Sequence, residues 1–318
     1  MMKQAFDALA RYMSTQIIGQ PDLVENMLVA LLAEGHILVE GPPGLAKTRA
    51  VKALSDGIEG DFQRIQFTPD LLPADLTGSD IYRPEDGSFQ FQPGPLFHPL
   101  VLADEINRAP AKVQSALLEA MAEQQITVGG NTYPLPDLFM VMATQNPIEQ
   151  EGTYPLPEAQ LDRFLMHLSL DYPDADVEQQ ILQLNRAEAQ SKPAEPVTPM
   201  STETLFAARQ ETLALHMADS VERYLVELIV ATRQPKRYSQ ELAQWLSYGV
   251  SPRASIALER CARAHAWLQG HDFVAPDNIQ AVFPNVMRHR LLLSYQAEAS
   301  GVSADAIVQQ LLQLVPAP

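Results

Sequence analysis

The sequence predicts an α/β domain, a parallel sheet with flanking helices, followed by a smaller all-helical domain. In the first half, short apolar runs alternate with helical patterns, which is typical of layered α/β folds. The strand pattern stops near Asp171, and only helix-type periodicity follows it. We therefore expect residues 1–170 to form the α/β domain and residues 171–318 the helical domain.

Five runs in the first half are predicted as strands of the sheet, the second from its alternation of apolar and polar residues and the others from their apolar character. They lie at 36–40, 62–67, 100–103, 139–143 and 164–170. A helix is expected after the third run, where Pro110 suits the first turn. Beyond residue 171 a Pro-rich connector at 191–199 interrupts the pattern. The helices predicted there lie at 175–189, 202–216, 220–233, 240–246, 253–269, 276–292 and 303–314.

Composition limits the classes of function. The 318 residues include 22 Lys and Arg against 39 Asp and Glu, a net charge of −17 that repels a phosphate backbone, so no nucleic-acid partner is expected. The single cysteine, Cys261, excludes an internal disulfide framework and multi-cysteine zinc sites. Signal-peptide and membrane-spanning patterns are missing from the sequence. We expect a cytoplasmic protein without membrane insertion.

A glycine-rich loop lies between the first predicted strand and a helix. In such loops backbone N–H groups and the positive end of the following helix bind phosphates. Lys47 is expected to reach the β and γ oxygens, and the Thr48 hydroxyl to ligate Mg²⁺. Ala46 replaces the usual second glycine, and we expect it at the helix start with a negative φ. The predicted nucleotide-binding residues are Gly41, Pro42, Pro43, Gly44, Leu45, Ala46, Lys47, Thr48 and Arg49.

Polar side chains end two later strands. Asp104 and Glu105 follow the third run, at the carboxyl edge of the sheet where open α/β folds bind ligands. Asp104 is predicted to hold Mg²⁺, and Glu105 to orient the water that attacks a γ-phosphate. Asn146, which ends a neighbouring strand, can touch both the phosphate and that water. An ordinary Asn-Pro turn with Pro147 is the alternative for Asn146.

Two arginines are further candidates. Ser251 can cap a helix whose first turn holds Pro252 and Arg253, where a cation opposes the helix dipole unless an anion binds there. Arg163 follows a predicted helix and could reach the nucleotide of a neighbouring subunit. The alternative for Arg253 is a solvent-facing side chain. The alternative for Arg163 is a surface pair with Asp162, and spacing alone favours that pair.

Together these motifs resemble the MoxR family of AAA+ ATPases over almost the whole chain. The matching segments are 17–20, 41–48, 104–109, 143–147, 152–164 and 251–254. The resemblance implies Walker A at Lys47 and Thr48, Walker B at Asp104 and Glu105, sensor 1 at Asn146, an arginine finger at Arg163, sensor 2 at Arg253, and Ile18 and Gly19 near the adenine. It also implies a helix-2 insert at about 79–92 and a hairpin before sensor 1 at about 126–135, whose Gly-Gly turn is itself visible in the sequence.

The resemblance implies ATP and Mg²⁺ as cofactors and a ring, expected to be a hexamer. Members act as chaperone-like remodellers of a client complex, often with a von Willebrand A-domain protein. Three alternatives stay open: a magnesium-chelatase-like motor subunit, a nucleotide-gated assembly scaffold with little turnover, and a nucleic-acid motor, which the charge disfavours. Arg253 could act on its own nucleotide or on a neighbour's.

Other reactive side chains are expected to be structural. Cys261 falls on an apolar helix face, and His36 precedes the phosphate loop inside a predicted strand. The segment 288–290, Arg-His-Arg, is expected to be a solvated helix end rather than a basic contact patch.

Overall fold

The computed structural model describes residues 2–42, 44–147, 152–190 and 197–318. Pro43 and most of the Pro-rich connector lie outside these residues. The chain forms two compact units. The first contains Met1–Leu28, His36–Leu156 and Leu168–Leu205, and the second contains Val29–Gly35, Pro157–His167 and Phe206–Pro318. These units interleave along the chain, so a single domain boundary at residue 170 stays a prediction.

The helices and strands are numbered in chain order. The strands are β1 (Ile37–Glu40), β2 (Phe62–Gln66), β3 (Gly78–Arg83), β4 (Ser88–Pro93), β5 (Leu100–Asp104), β6 (Gln125–Val128), β7 (Asn131–Pro134), β8 (Met140–Gln145), β9 (Met166–Ser169), β10 (His216–Met217), β11 (Leu246–Tyr248), β12 (Phe273–Val274) and β13 (Leu292–Leu293). The helices are α1 (Met2–Gln16), α2 (Pro21–Leu32), α3 (Lys47–Asp56), α4 (Pro73–Thr77), α5 (Ala111–Glu123), α6 (Glu158–Leu161), α7 (Ala175–Ala189), α8 (Thr202–Ala214), α9 (Asp219–Arg233), α10 (Gln240–Trp245), α11 (Pro252–Leu268), α12 (Pro276–Met287), α13 (Tyr295–Ala299) and α14 (Ala304–Leu314).

The main sheet has the strand order β2-β5-β8-β1-β9, with parallel pairs β2/β5, β5/β8 and β1/β8. All five predicted strands are therefore confirmed. The apolar residues of β1, β5 and β8 are buried, as expected for a parallel sheet covered on both faces. The register places Gln66 beside Asp104, and Glu40 beside Gln145. Polar side chains thus collect at one edge of the sheet.

Two antiparallel hairpins project from the first unit. One pairs β3 with β4, and the other pairs β6 with β7. Gly129 and Gly130 form the second turn with φ of +59° and +83°, the positive pair that a type I′ turn requires. The rings of Phe91 and Tyr133 stack with centroids 4.0 Å apart, which joins the two hairpins. Both segments predicted as insertions are hairpins; their equivalence to the family's insertions stays a prediction.

The part of the chain beyond residue 171 is mainly helical. The seven helices predicted there are all present, although α12 ends at Met287 rather than near residue 292. Short strand pairs, β10 with β12 and β11 with β13, were not predicted because two or three residues cannot show a two-residue period. Among the described residues, no helix is long and apolar enough to cross a bilayer.

Candidate active site

The phosphate loop bends sharply just before α3. Gly44 has φ +86°, and a Cβ on Gly41 would lie 2.8 Å from the carbonyl oxygen of Leu170. Ala46 adopts φ +54° and ψ 15°, in the left-handed region. The negative φ expected there is therefore wrong. Glycine adopts this conformation without steric cost, whereas an alanine pays roughly 1–2 kcal/mol.

Nine predicted site residues line one cavity of about 410 Å³ in the first unit, and five of them have predicted catalytic or metal-binding roles. These five are Lys47, Thr48, Asp104, Glu105 and Asn146. The loop and the carboxyl ends of β5 and β8 supply them, as the sheet-edge argument predicted. The other lining residues are Gly44, Leu45, Ala46, Arg49, Arg64 and Thr144.

Lys47 is the first residue of α3, and it lines this cavity. Its Nζ donates a 2.7 Å hydrogen bond to the carbonyl oxygen of Gly41. Burial lowers the pKa of the ammonium group, while Asp104, Glu105 and Glu40 act in the opposite direction. A partly desolvated cation on the first residue of α3, beside the positive end of the helix dipole, is suited to bind phosphate oxygens.

Thr144 binds the carboxylate of Asp104 and the backbone of Glu105. Its hydroxyl donates to Asp104 Oδ1 at 2.7 Å and accepts from the backbone N–H of Glu105 at 2.9 Å. Glu105 adopts φ +58°, an uncommon conformation for a residue other than glycine. Local backbone strain of this kind clusters at functional sites. Thr144 belongs to the segment 143–147 that resembles the family, but no role was predicted for it.

Three further polar residues, absent from the predicted site, bind the carboxylates. Arg64 donates to Asp104 Oδ2 from Nε at 3.1 Å and from Nη2 at 2.6 Å. Gln66 and Arg108 both donate to Glu105 Oε2, at 2.8 and 2.9 Å. A signal was present: Arg64 and Gln66 are two residues apart on β2, and so they lie on the same face of that strand.

A second cavity of about 370 Å³ shares Gly44, Leu45, Ala46 and Arg49 with the first. Ile18 lines it, and its position near the base stays a prediction. Gly19 has φ +78°, and a Cβ there would lie 2.1 Å from a methyl group of Val177, so it lets α7 pack closely. The remaining lining, which sequence reasoning missed, comes from Gln16, Gln20, Tyr172, Pro173, Glu178, Ile181, Leu182, Leu184 and Asn185.

Arg163 and Arg253 both belong to the second unit. Arg163 follows α6, and Arg253 is an exposed residue in the first turn of α11. Ser251 caps α11 as predicted, because its hydroxyl oxygen accepts from the N–H of Arg253 at 3.2 Å. The same hydroxyl donates to Asp162 Oδ2 at 2.8 Å. The segments that carry the two arginines are thus joined by a hydrogen bond.

Arg290 binds the other oxygen of Asp162. Its Nε donates to Oδ1 at 2.9 Å, and its guanidinium also donates to the carbonyl oxygens of Phe164 and Leu165. Only 3% of the Arg290 side chain is exposed. The expectation that segment 288–290 is a solvated helix end is therefore wrong. Burial lowers the pKa of Arg290, and the adjacent Asp162 opposes that shift.

Cys261 is fully buried, and burial raises its thiol pKa to about 12, so it is unreactive as expected. Groups of three or more His, Cys, Asp or Glu that could hold a metal are missing from the described residues. Mg²⁺ does not need one, because it is usually held by one or two protein oxygens with water and phosphate completing its shell.

Comparisons with known proteins agree with this geometry. Residues 36–166 match the family model described as "ATPase family associated with various cellular activities (AAA)", and residues 242–311 match an AAA lid domain. "Chaperone MoxR1" of Mycobacterium tuberculosis is 44% identical over 304 residues, covering 95% of this chain and 79% of that protein. The chain belongs to the MoxR family of AAA+ ATPases.

A solved structure supports the fold of this MoxR family protein. The crystal structure of a candidate ATPase from Cytophaga hutchinsonii superposes with a TM-score of 0.92 at 42% identity, covering 100% of this chain and 96% of that one. The predicted fold, a parallel-sheet AAA+ domain with a helical lid, is confirmed. A more distant relative is "Magnesium-chelatase subunit ChlI, chloroplastic" of Nicotiana tabacum, 30% identical over 212 residues, 65% of this chain and 46% of that protein.

Proposed function

We propose that this MoxR family protein is a Mg²⁺-dependent ATPase that converts ATP and water to ADP and phosphate. One observation carries the proposal: Lys47, Thr48, Asp104, Glu105 and Asn146 converge on one cavity beside the positive end of α3. Family membership supports ATPase activity and a chaperone-like role in general. The neighbouring cavity lined by Ile18 is the proposed position of the base.

The residues present fit a magnesium ion. The Thr48 hydroxyl and the Asp104 carboxylate line the same cavity, and both are the hard oxygen donors that Mg²⁺ prefers. When bound, the ion would neutralise charge on the phosphates. Lys47 would bind the β and γ oxygens, and the loop amides would hold the β-phosphate. Asn146 would contact the γ-phosphate and the attacking water.

Glu105 would orient that water and accept its proton. Gln66 and Arg108 both donate to Glu105 Oε2, and the Glu105 N–H is fixed by Thr144. These contacts hold the carboxylate in one orientation, which is what positioning a nucleophile requires. A general base of this kind typically contributes about 10²–10⁴-fold to the rate.

The wider role is proposed from the family. AAA+ proteins usually assemble as rings, and we propose a hexamer in the cytoplasm in which Arg163 acts on the neighbour's nucleotide. Arg253 is the proposed sensor 2, with action on its own or a neighbouring nucleotide both open. The ring would drive rearrangement of a client complex, with a von Willebrand A-domain protein as the operating partner.

The test is Glu105→Gln, compared with Glu119→Gln. Glu119 is exposed on α5 and lies outside the cavity, so it controls for the loss of one carboxylate. We expect Glu105→Gln to bind ATP normally and to lose at least about 100-fold in kcat. Fluorescent-nucleotide binding and phosphate release measure the two properties. Unchanged hydrolysis in purified Glu105→Gln would contradict the role given to Glu105.

One alternative has a specific observation in its favour. The similarity to a magnesium-chelatase subunit is consistent with a motor that serves a metal-inserting enzyme. The ATPase site would be the same in both cases, so the difference lies in the partner. Affinity capture of bound proteins by the Glu105→Gln protein in the presence of ATP distinguishes the two functions. A stalled ring should retain a chelatase subunit in one case and a different client in the other.

A further inference from the structure

Arg64 reaches into the proposed metal site from the neighbouring strand. It lies on β2, directly beside β5, and it lines the cavity together with Thr48 and Asp104. Two of its nitrogens donate to a single oxygen, Asp104 Oδ2, at 2.6 and 3.1 Å. Since a carboxylate oxygen has two lone pairs, these two hydrogen bonds saturate Oδ2.

The second oxygen of Asp104 is also engaged. Oδ1 accepts the Thr144 hydroxyl at 2.7 Å, which leaves one lone pair on that oxygen. A magnesium ion, or a water molecule bound to it, therefore has to approach a carboxylate whose Oδ2 carries the guanidinium of Arg64. A guanidinium already on that oxygen opposes the approach in two ways, by occupying the lone pairs and by like-charge repulsion.

We propose that Arg64 and the divalent metal are alternative partners of the Asp104 carboxylate, so that Arg64 sets the metal affinity of the site. This inference rests on the proposed function. It makes Arg64 a positioning residue that acts through Asp104. The side chain has room to move, because it is 49% exposed while that of Asp104 is only 15% exposed. Loading the metal releases the guanidinium from the carboxylate toward the solvent side.

Release of Arg64 also changes the surroundings of Glu105. Arg64 Nη2 donates to Gln66 Oε1 at 2.9 Å, and the amide nitrogen of Gln66 donates to Glu105. A guanidinium that leaves Asp104 also loses its place beside Gln66. The metal ligand and the water-orienting carboxylate are thereby linked through two residues of β2.

The experiment measures Mn²⁺ binding to the full chain in the presence of ADP, by the loss of the free-ion signal in electron paramagnetic resonance. Arg64→Gln removes the competing charge, and we expect Mn²⁺ to bind about tenfold more tightly. Arg83→Gln, an exposed residue of the β3–β4 hairpin, removes the same charge outside the cavity and should leave Mn²⁺ affinity unchanged. Mn²⁺ affinity in Arg64→Gln that is unchanged or weaker would overturn the proposal.

A second variant protects the test against a folding defect. Arg64→Lys keeps the charge but has no fork with which to saturate Oδ2, so about threefold tighter binding is expected. An affinity equal to that of the unmodified protein would count against the proposal here too. Binding of fluorescent ADP in excess chelator tests the proposed function separately. If ADP binds and the Mn²⁺ affinity does not change when Arg64 is substituted, only this inference fails. If ADP does not bind, the proposed function fails.

Discussion

His36, just before β1, is held in one protonation state by its two hydrogen bonds. The backbone N–H of Val141 donates to Nδ1 at 3.0 Å, so the proton of the neutral ring is on Nε2, which donates to the Met121 carbonyl at 3.2 Å. Burial lowers the pKa of His36 to about 4. Protonating Nδ1 would break the bond to β8 and place a charge in the core.

This shift predicts a loss of stability in acid. The unfolded chain binds a proton on His36 below about pH 6.5, whereas the folded chain does so only below about pH 4, so stability falls as the pH drops between these values. We expect His36 to contribute about 3 kcal/mol of this loss. Urea unfolding at pH 7 and pH 4 measures it, and His36→Gln should lose that much less between the two. Equal losses in both proteins would contradict the assignment.

At this scale the sequence predicts the residues proposed to bind the nucleotide better than the residues that hold them in place. Lys47, Thr48 and Asp104 follow from a loop and a strand end that can be read from local spacing. Thr144 and Arg64 act through strands that are neighbours only in space, and sequence spacing does not show which strands pair. The positive φ of Ala46 was missed because alanine rarely adopts it.

Among the elements, the two hairpins of the first unit are joined by a ring contact. Phe91 of β4 stacks on Tyr133 of β7 at 4.0 Å and meets the edge of Phe97 at 5.6 Å. Phe89 lies on the same face of β4, two residues away, but 71% of it is exposed. The face of this hairpin is therefore covered near the sheet and open toward its tip.

Phe91→Ala is expected to loosen the β6–β7 hairpin. Removing a stacked aromatic pair costs about 0.5–1.5 kcal/mol beyond the lost apolar burial, and Tyr133 loses its neighbour. Hydrogen exchange should become faster in Asn131–Pro134. Phe89→Ala is the matched control, since an exposed ring supplies little packing, and its exchange should stay close to that of the unmodified protein. Protection of β7 that survives Phe91→Ala would show that the stack does not couple the hairpins.

Elements with a strong local pattern were the predictable ones. All five sheet strands are confirmed: β1, β5, β8 and β9 were predictable as short apolar runs, and β2 by the alternation of its residues. The β6–β7 turn was predictable from Gly129 and Gly130, whose positive φ values suit glycine. Strand pairs of two or three residues, and the burial of Arg290 just after α12, depend on partners far away in the sequence.

For the whole molecule, the proposed ring makes a prediction about mixed assemblies. Glu105→Gln removes the water-orienting carboxylate, and Arg163→Ala removes the proposed cation from the neighbour. Each variant alone should lack turnover. Mixing them creates some interfaces that keep both groups intact, so part of the ATPase activity should return, whereas a protein acting as a monomer regains none. Phosphate release across a series of mixing ratios measures this.

In the second unit, one carboxylate oxygen of Asp162 accepts from Arg290, and the other accepts from Ser251, which caps α11. The residue after Asp162 is Arg163, and the residue two after the cap is Arg253. Neither backbone segment can shift alone without breaking this shared anchor. A substitution that displaces one of these segments is therefore expected to disturb the other, so that damage at either arginine's segment spreads to its counterpart.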